Sequence, residues 1–260
     1  VQPIWGTLPW RAADWVARRV TDRLSFQYLL YPSSFNLVRH PWFREADIVQ
    51  LYNTHGSYFS HTVLPLLSRQ RPVVWRLSDM WPMTGHCAYS FDCDRWKTGC
   101  GACPLLSDEP ALRVDRTAFL WKMKRWVYER SELTIVAPSR WIAGLAAQSP
   151  LLGRYPIHHI PNGLDIDVFR PIPKSMAREV LGLDPKEDVV LFSAVETGSQ
   201  RKGGHLLREA LHILREQGHH RLRLLAVGNG AEQWGKSVDS PVTPMTAIKD
   251  DRLLGMVYSA

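Results

Sequence analysis

The sequence lacks any run approaching about 18 uncharged apolar residues, so no segment reads as a transmembrane helix. Its opening, Val1-Gln2-Pro3-Ile4-Trp5, has no basic region leading into an apolar core, and no signal peptide is expected there. An initiator methionine is missing, and the chain stops inside an apolar helical pattern at 256–260. The expectation is a fragment open at both ends. There is no fixed-period repeat and no low-complexity tract. Neither a Walker A loop nor a G-x-G-x-x-G fingerprint is present, which excludes the two commonest glycine-rich phosphate cradles. Acidic residues are scarce relative to basic ones, 25 against 32, leaving a formal charge of +7. That excess favours nucleic acid, anionic lipid or phosphorylated substrates as partners, and it equally suits a merely soluble basic surface. Cysteine is absent outside residues 87–103, where all four fall. A secreted chain stapled by disulfides spreads them more widely, so a bound metal or a pinned loop is the better reading.

What is present is ordinary globular composition, with 45% apolar and 22% charged residues, which excludes a wholly disordered or collagenous chain. The length suits one or two domains. Strand and helix patterns alternate. Residues 47–52, 72–77, 133–137 and 157–160 read as strands, as do 189–194 and 222–227. Helical periodicity marks 58–68, 111–131, 175–181 and 205–217. In the 111–131 segment Phe119, Met123, Trp126 and Val127 read as one face, and Ser139 reads as the N-cap of a following helix. Lys122, Lys124, Arg125 and Arg130 beside Trp121 and Trp126 suit either a membrane interface or an ordinary half-buried helix. Pro161-Asn162-Gly163 reads as a turn with Gly163 free to take a positive φ. Strands separated by such helices need crossovers, hence parallel sheets covered on both faces. The fold class is α/β, with one domain over 1–161 and a second over 162–260.

Ligands of open α/β sheets bind beyond the carboxyl ends of strands. Three loops lie at such ends. After strand 72–77 come Ser78 and Asp79, the candidate catalytic pair, in a loop that continues to His86 and Cys87; His55 lies in another candidate active-site loop. After strand 189–194 comes 196–204, where Arg201, Lys202 and Gly203 precede a helix. Two cations and a helix N-terminus make a phosphate site, and solvated loop charges are the bland alternative. Gly228-Asn229-Gly230 follows strand 222–227. The cysteines run Cys87-x5-Cys93-x6-Cys100-x2-Cys103. The last pair is a good zinc half-site; zinc, an iron–sulfur cluster, a disulfide and free thiols all remain open. Four thiolates would close a zinc shell, making it structural and holding the loop 85–104.

In order along the chain, Ala46-Asp47-Ile48-Val49-Gln50-Leu51, the segment 72–85, Cys100-Gly101-Ala102-Cys103-Pro104, 136–141, Ile160-Pro161-Asn162-Gly163-Leu164-Asp165 and Arg201-Lys202-Gly203 resemble family 4 of the GT-B glycosyltransferases. The likeness is to bacterial polysaccharide-type members with a cysteine-containing loop. It covers roughly residues 45–230. The resemblance implies a GT-B fold, two Rossmann-like domains whose parallel sheets face a cleft. It implies retaining transfer of a hexosyl group from a nucleotide-diphosphate sugar to a glycan or lipid-linked acceptor. Lys202, helped by Arg201, would stabilise the leaving diphosphate, with no metal required for catalysis. Asn162, Gly163 and Asp165 would form the interdomain joint. A cytoplasmic enzyme, peripheral on the inner face of an anionic membrane, is implied, and nucleic acid is not an expected partner.

The chain departs from the family pattern in carrying Ser78 where His is usual, Glu196 where Arg is common, and no downstream carboxylate segment. Residues 1–260 alone are therefore expected to be inactive. Two other readings are a non-catalytic GT-B scaffold that binds nucleotide or a partner, and a zinc-containing nucleic-acid binder.

Overall fold

The computed structural model describes residues 8–260. They divide into two compact units, one ending at Asn162 and the other spanning Gly163–Ala260. Each holds a parallel sheet, as the alternating strand and helix patterns require.

The first unit opens with helix α1 (Leu8–Arg23), for which the sequence reading has no counterpart, and the short helices α2 (Pro32–Phe35) and α3 (Pro41–Glu45). Strand β1 (Val49–Leu51), helix α4 (Leu64–Ser68), strand β2 (Val73–Arg76), helix α5 (Thr117–Tyr128), strand β3 (Leu133–Ala137), helix α6 (Arg140–Gln148) and strand β4 (Ile157–His159) follow. The strands lie in the order β1-β2-β3-β4. Val73 and Trp75 of β2 and Leu133, Ile135 and Ala137 of β3 alternate into the core, as a period of two demands. The Ser139 hydroxyl accepts from the Ile142 amide at 3.3 Å, so the expected N-cap is in place.

Four expectations need correction. The helical pattern at 58–68 yields only α4 and a 3₁₀ turn over His61–Val63, because Pro65 sets the helix start. Helix α5 is shorter than 111–131: the Asp115 carboxylate accepts from the Thr117 amide and hydroxyl, halting the chain just before the first turn. Its buried stripe is Thr117, Leu120, Trp121, Lys124, Val127 and Tyr128, whereas Phe119 and Trp126 are exposed. Apolarity alone misplaces that face because one buried position is a lysine. At the joint, Gly163 does not take a left-handed φ and residues 160–165 make no turn.

The second unit contains α7 (Lys174–Val180), β5 (Asp188–Glu196), α8 (Gly204–Glu216), β6 (Leu222–Asn229), β7 (Val242–Met245) and α9 (Asp251–Ser259), with strand order β5-β6-β7. Leu224 and Ala226 face one cluster with Leu211 and Trp234, while Leu225 and Val227 face another with Leu183 and Val257. Both faces of this sheet are therefore covered.

Near its carboxyl end β5 shifts register between Ser193 and Glu196, bringing the Ala194 carbonyl against Gly228. A Cβ on Gly228, whose φ is +132°, would lie 1.7 Å from that oxygen. Gly228→Ala is expected to destabilise the second unit by ~2–5 kcal/mol through overlap and backbone strain. Equilibrium denaturation checks this, and a loss within ~0.5 kcal/mol would contradict the close approach.

Candidate functional site

In the first unit the carboxyl end of β2 leads through exposed Ser78 into Asp79, which is 7% exposed. The sequence presents Asp79 and His55 as separate candidates; the structure joins them. His55 Nε2 lies 2.6 Å from Asp79 Oδ2, and Asp79 Oδ1 accepts from the Trp81 amide at 2.9 Å. A carboxylate accepts, so the proton of this bond sits on Nε2. The imidazole packs against Tyr28 and Trp81. Ser78 stays outside this pair. On the preceding β2 residue, Arg76 donates to the Tyr52 hydroxyl at 2.7 Å.

Lys124 lies beneath. It is fully buried, donates to the Trp81 and Thr84 carbonyls at 2.6 and 3.0 Å, and sits 3.4 Å from the Trp81 ring centroid. Burial pulls its pKa down to about 7, opposed by Cys100, Cys87 and Asp79. His61, edge-on to Trp81, is also wholly enclosed. Burial, reinforced by Lys124, holds its pKa at about 3.

The ordinary histidine value is about 6.5. Between that value and about 3 the unfolded chain binds a proton that the folded chain excludes. His61 therefore leaves stability intact above about pH 6.5 and erodes it by up to about 1.4 kcal/mol per unit as pH falls towards 3. His61→Leu is expected to flatten that slope. Denaturation curves at several acid pH values check this, and an unchanged slope would contradict it.

The cysteine loop folds beside the same helix. Cys87, Cys93, Cys100 and Cys103 are free thiols lining one pocket with His86. Burial pushes Cys87 up to about 12 and Cys100 up to about 11. Among the described residues, no three His, Cys, Asp or Glu side chains are grouped closely enough, as placed, to hold a metal ion.

In the second unit, Thr197 ends the strand side of the 196–204 loop. It is buried and donates from its amide and hydroxyl to the Asn229 carbonyl, at 3.0 and 2.9 Å. Asn229 in turn donates to Glu196 at 2.8 Å, so two of the three loops marked in the sequence are knitted together. Gln200–Lys202 form a 3₁₀ turn, and Gly203 takes φ +74° to start α8. Gly204 packs with no room for a side chain, since a Cβ would come within 3.0 Å of both the Thr197 carbonyl and Trp234.

An open depression over this helix start is lined by Thr197, Gly198, Ser199, Gln200, His205 and Arg208, with Gly204 at its base. Arg201 and Lys202 are exposed on the adjoining turn and outside that lining. His205 and Arg208 were not singled out in the sequence, although their positions in the first two turns of α8 were a usable signal. Unpaired amides at a helix start, with cations around them, suit an anionic oxygen.

Asn162 and Gly163 mark the division between the units, and Asp165 folds onto the Asp167 and Val168 amides at 3.0 and 3.3 Å. Among the described residues no helix is long and apolar enough to cross a membrane.

No protein-family profile matches the chain. A 98-residue stretch is 37% identical to an Escherichia coli (strain K12) protein provisionally named colanic acid biosynthesis glycosyl transferase WcaC. The match takes in 36% of this chain and 24% of that relative. The solved structure of Anabaena Alr3699/HepE in complex with UDP-glucose aligns over 87% of this chain and 54% of its own, at 18% identity. Its TM-score of 0.49 is too low to fix a fold family or a ligand.

Proposed function

We propose that the chain is part of a glycosyltransferase that takes its sugar from a nucleotide-diphosphate donor and acts in bacterial polysaccharide synthesis. The observation that carries this reading is the 98-residue likeness, at 37% identity, to a protein named as a colanic acid glycosyl transferase. The geometry supports it from both units. In the second, the turn bearing Arg201 and Lys202 runs into the glycine-led start of α8, a place for a diphosphate. In the first, the His55–Asp79 pair lies beyond the carboxyl end of β2, where open α/β sheets bind ligands.

The reading includes a GT-B fold of family 4, hexosyl transfer with retention and a glycan or lipid-linked acceptor. It also includes a cytoplasmic protein resting on an anionic membrane face. Lys202, with Arg201 beside it, neutralises charge that builds on the departing diphosphate, and such charge is where fixed cations act most strongly. No metal is needed for that step.

Calorimetric titration of the intact protein with UDP, GDP and ADP tests the donor half of the reading. Saturable binding of one of them is expected. Failure of all three to bind folded protein would overturn it.

A further inference from the structure

We infer that Cys87, Cys93, Cys100 and Cys103 hold one zinc ion as a tetrathiolate. The inference stands apart from the sugar-transfer reading.

Three independent features of the loop point to it. All four sulfurs and the imidazole line a single pocket, and none of the thiols is spent in a disulfide. Gly99, Cys100, Gly101 and Ala102 take φ values of +138°, +55°, +102° and +44°, a left-handed run that curls the Cys-x-x-Cys segment into a tight knuckle. Two of those residues carry a Cβ and are strained there.

The knuckle is held from outside. The Gly85 amide donates to Cys100 Sγ at 3.2 Å, the Gly101 amide to Thr117 Oγ1 at 3.0 Å, and the Cys103 amide to Asp115 Oδ2 at 2.7 Å. Amides aimed at sulfur stabilise a thiolate, and fixed outer bonds orient ligands before the ion arrives. A Cβ on Gly85 would lie 2.6 Å from the Thr117 carbonyl, so this approach requires glycine.

His86 is buried, with Nδ1 3.0 Å from the Pro110 carbonyl and Nε2 3.3 Å from Cys103 Sγ. A carbonyl only accepts, so Nδ1 carries the proton and Nε2 of the neutral ring accepts from the Cys103 thiol.

As placed, the sulfurs do not form a closed shell. Binding removes a proton from each thiol, which then turns its sulfur onto the ion, so the bond formed at each ligand is Zn–S and the proton leaves to solvent. The shell would also stiffen the catalytic side of the unit. Cys100 is tied to Gly85, Thr84 and Trp81 share Lys124, and the Trp81 amide holds Asp79.

The test is metal analysis of the intact protein purified without chelator, with cobalt exchanged into the same site as a spectroscopic probe. About one zinc per chain is expected, with a thiolate-to-cobalt band of tetrathiolate intensity. Cys100→Ser and Cys103→Ser should lose the metal. Folded wild-type protein with neither zinc nor cobalt uptake overturns the proposal, and so does iron in place of zinc. A band of lower thiolate count, or a disulfide found by alkylation mapping, overturns the ligand set. Should the cysteine variants fail to fold, the cobalt spectrum of the wild type decides alone.

Discussion

Lys202→Ala is expected to lower sugar-transfer turnover by about 10²–10³-fold, the size of effect seen when one fixed donor is removed from a site of developing charge. The turn carrying it leads directly into a left-handed Gly203 and the first residues of α8, a helix of 13 residues. Two conditions sharpen the expectation. First, the loss should fall mainly on kcat, because a leaving diphosphate gains charge as the bond to the sugar breaks. Second, the fold should be untouched, since Lys202 is exposed. Lys202→Arg should restore part of the activity. A variant that turns over normally would remove the lysine from the donor site and leave His205 and Arg208, which line the depression itself, as the phosphate ligands.

Lys124→Met should cost the first unit about 3–5 kcal/mol, the price of stranding buried partners of a charge. The methionine fills the aliphatic volume but leaves the Trp81 and Thr84 carbonyls without their donor. Both carbonyls belong to the stretch that follows Asp79, so the effect should extend to His55–Asp79. Hydrogen exchange should speed up at the Trp81 amide, which that carboxylate holds. Urea denaturation gives the magnitude. A loss below about 1 kcal/mol would show that water or another donor satisfies the carbonyls.

Much of the frame was legible because it is local. The Val and Ile runs of β2, β3, β5 and β6 announce buried parallel strands, and the loops at their carboxyl ends were the ones the structure places around Asp79 and Thr197. Ser139 could be read as a cap because capping is a contact across three residues. What failed to show was either non-local or against type. The His55–Asp79 bond spans 24 residues, and no spacing rule predicts it. Lys124 is buried where composition puts lysine at the surface, so α5 was turned to the wrong face. Strand β7 contains Pro244, which demotes a strand pattern unless the strand lies at an edge, as this one does. The spacing of Cys100 and Cys103 suggested a zinc half-site, while the contact of His86 with the Pro110 carbonyl needed the fold.

Nucleotide release from a panel of UDP-, GDP- and ADP-sugars, followed with the intact protein and with Lys202→Ala and Asp79→Asn alongside, tests the central claim most directly. Consumption of one nucleotide series, with loss of most of it in both variants, is the predicted result. Folded protein that consumes none of them would contradict the claim and leave a two-unit α/β scaffold without catalysis.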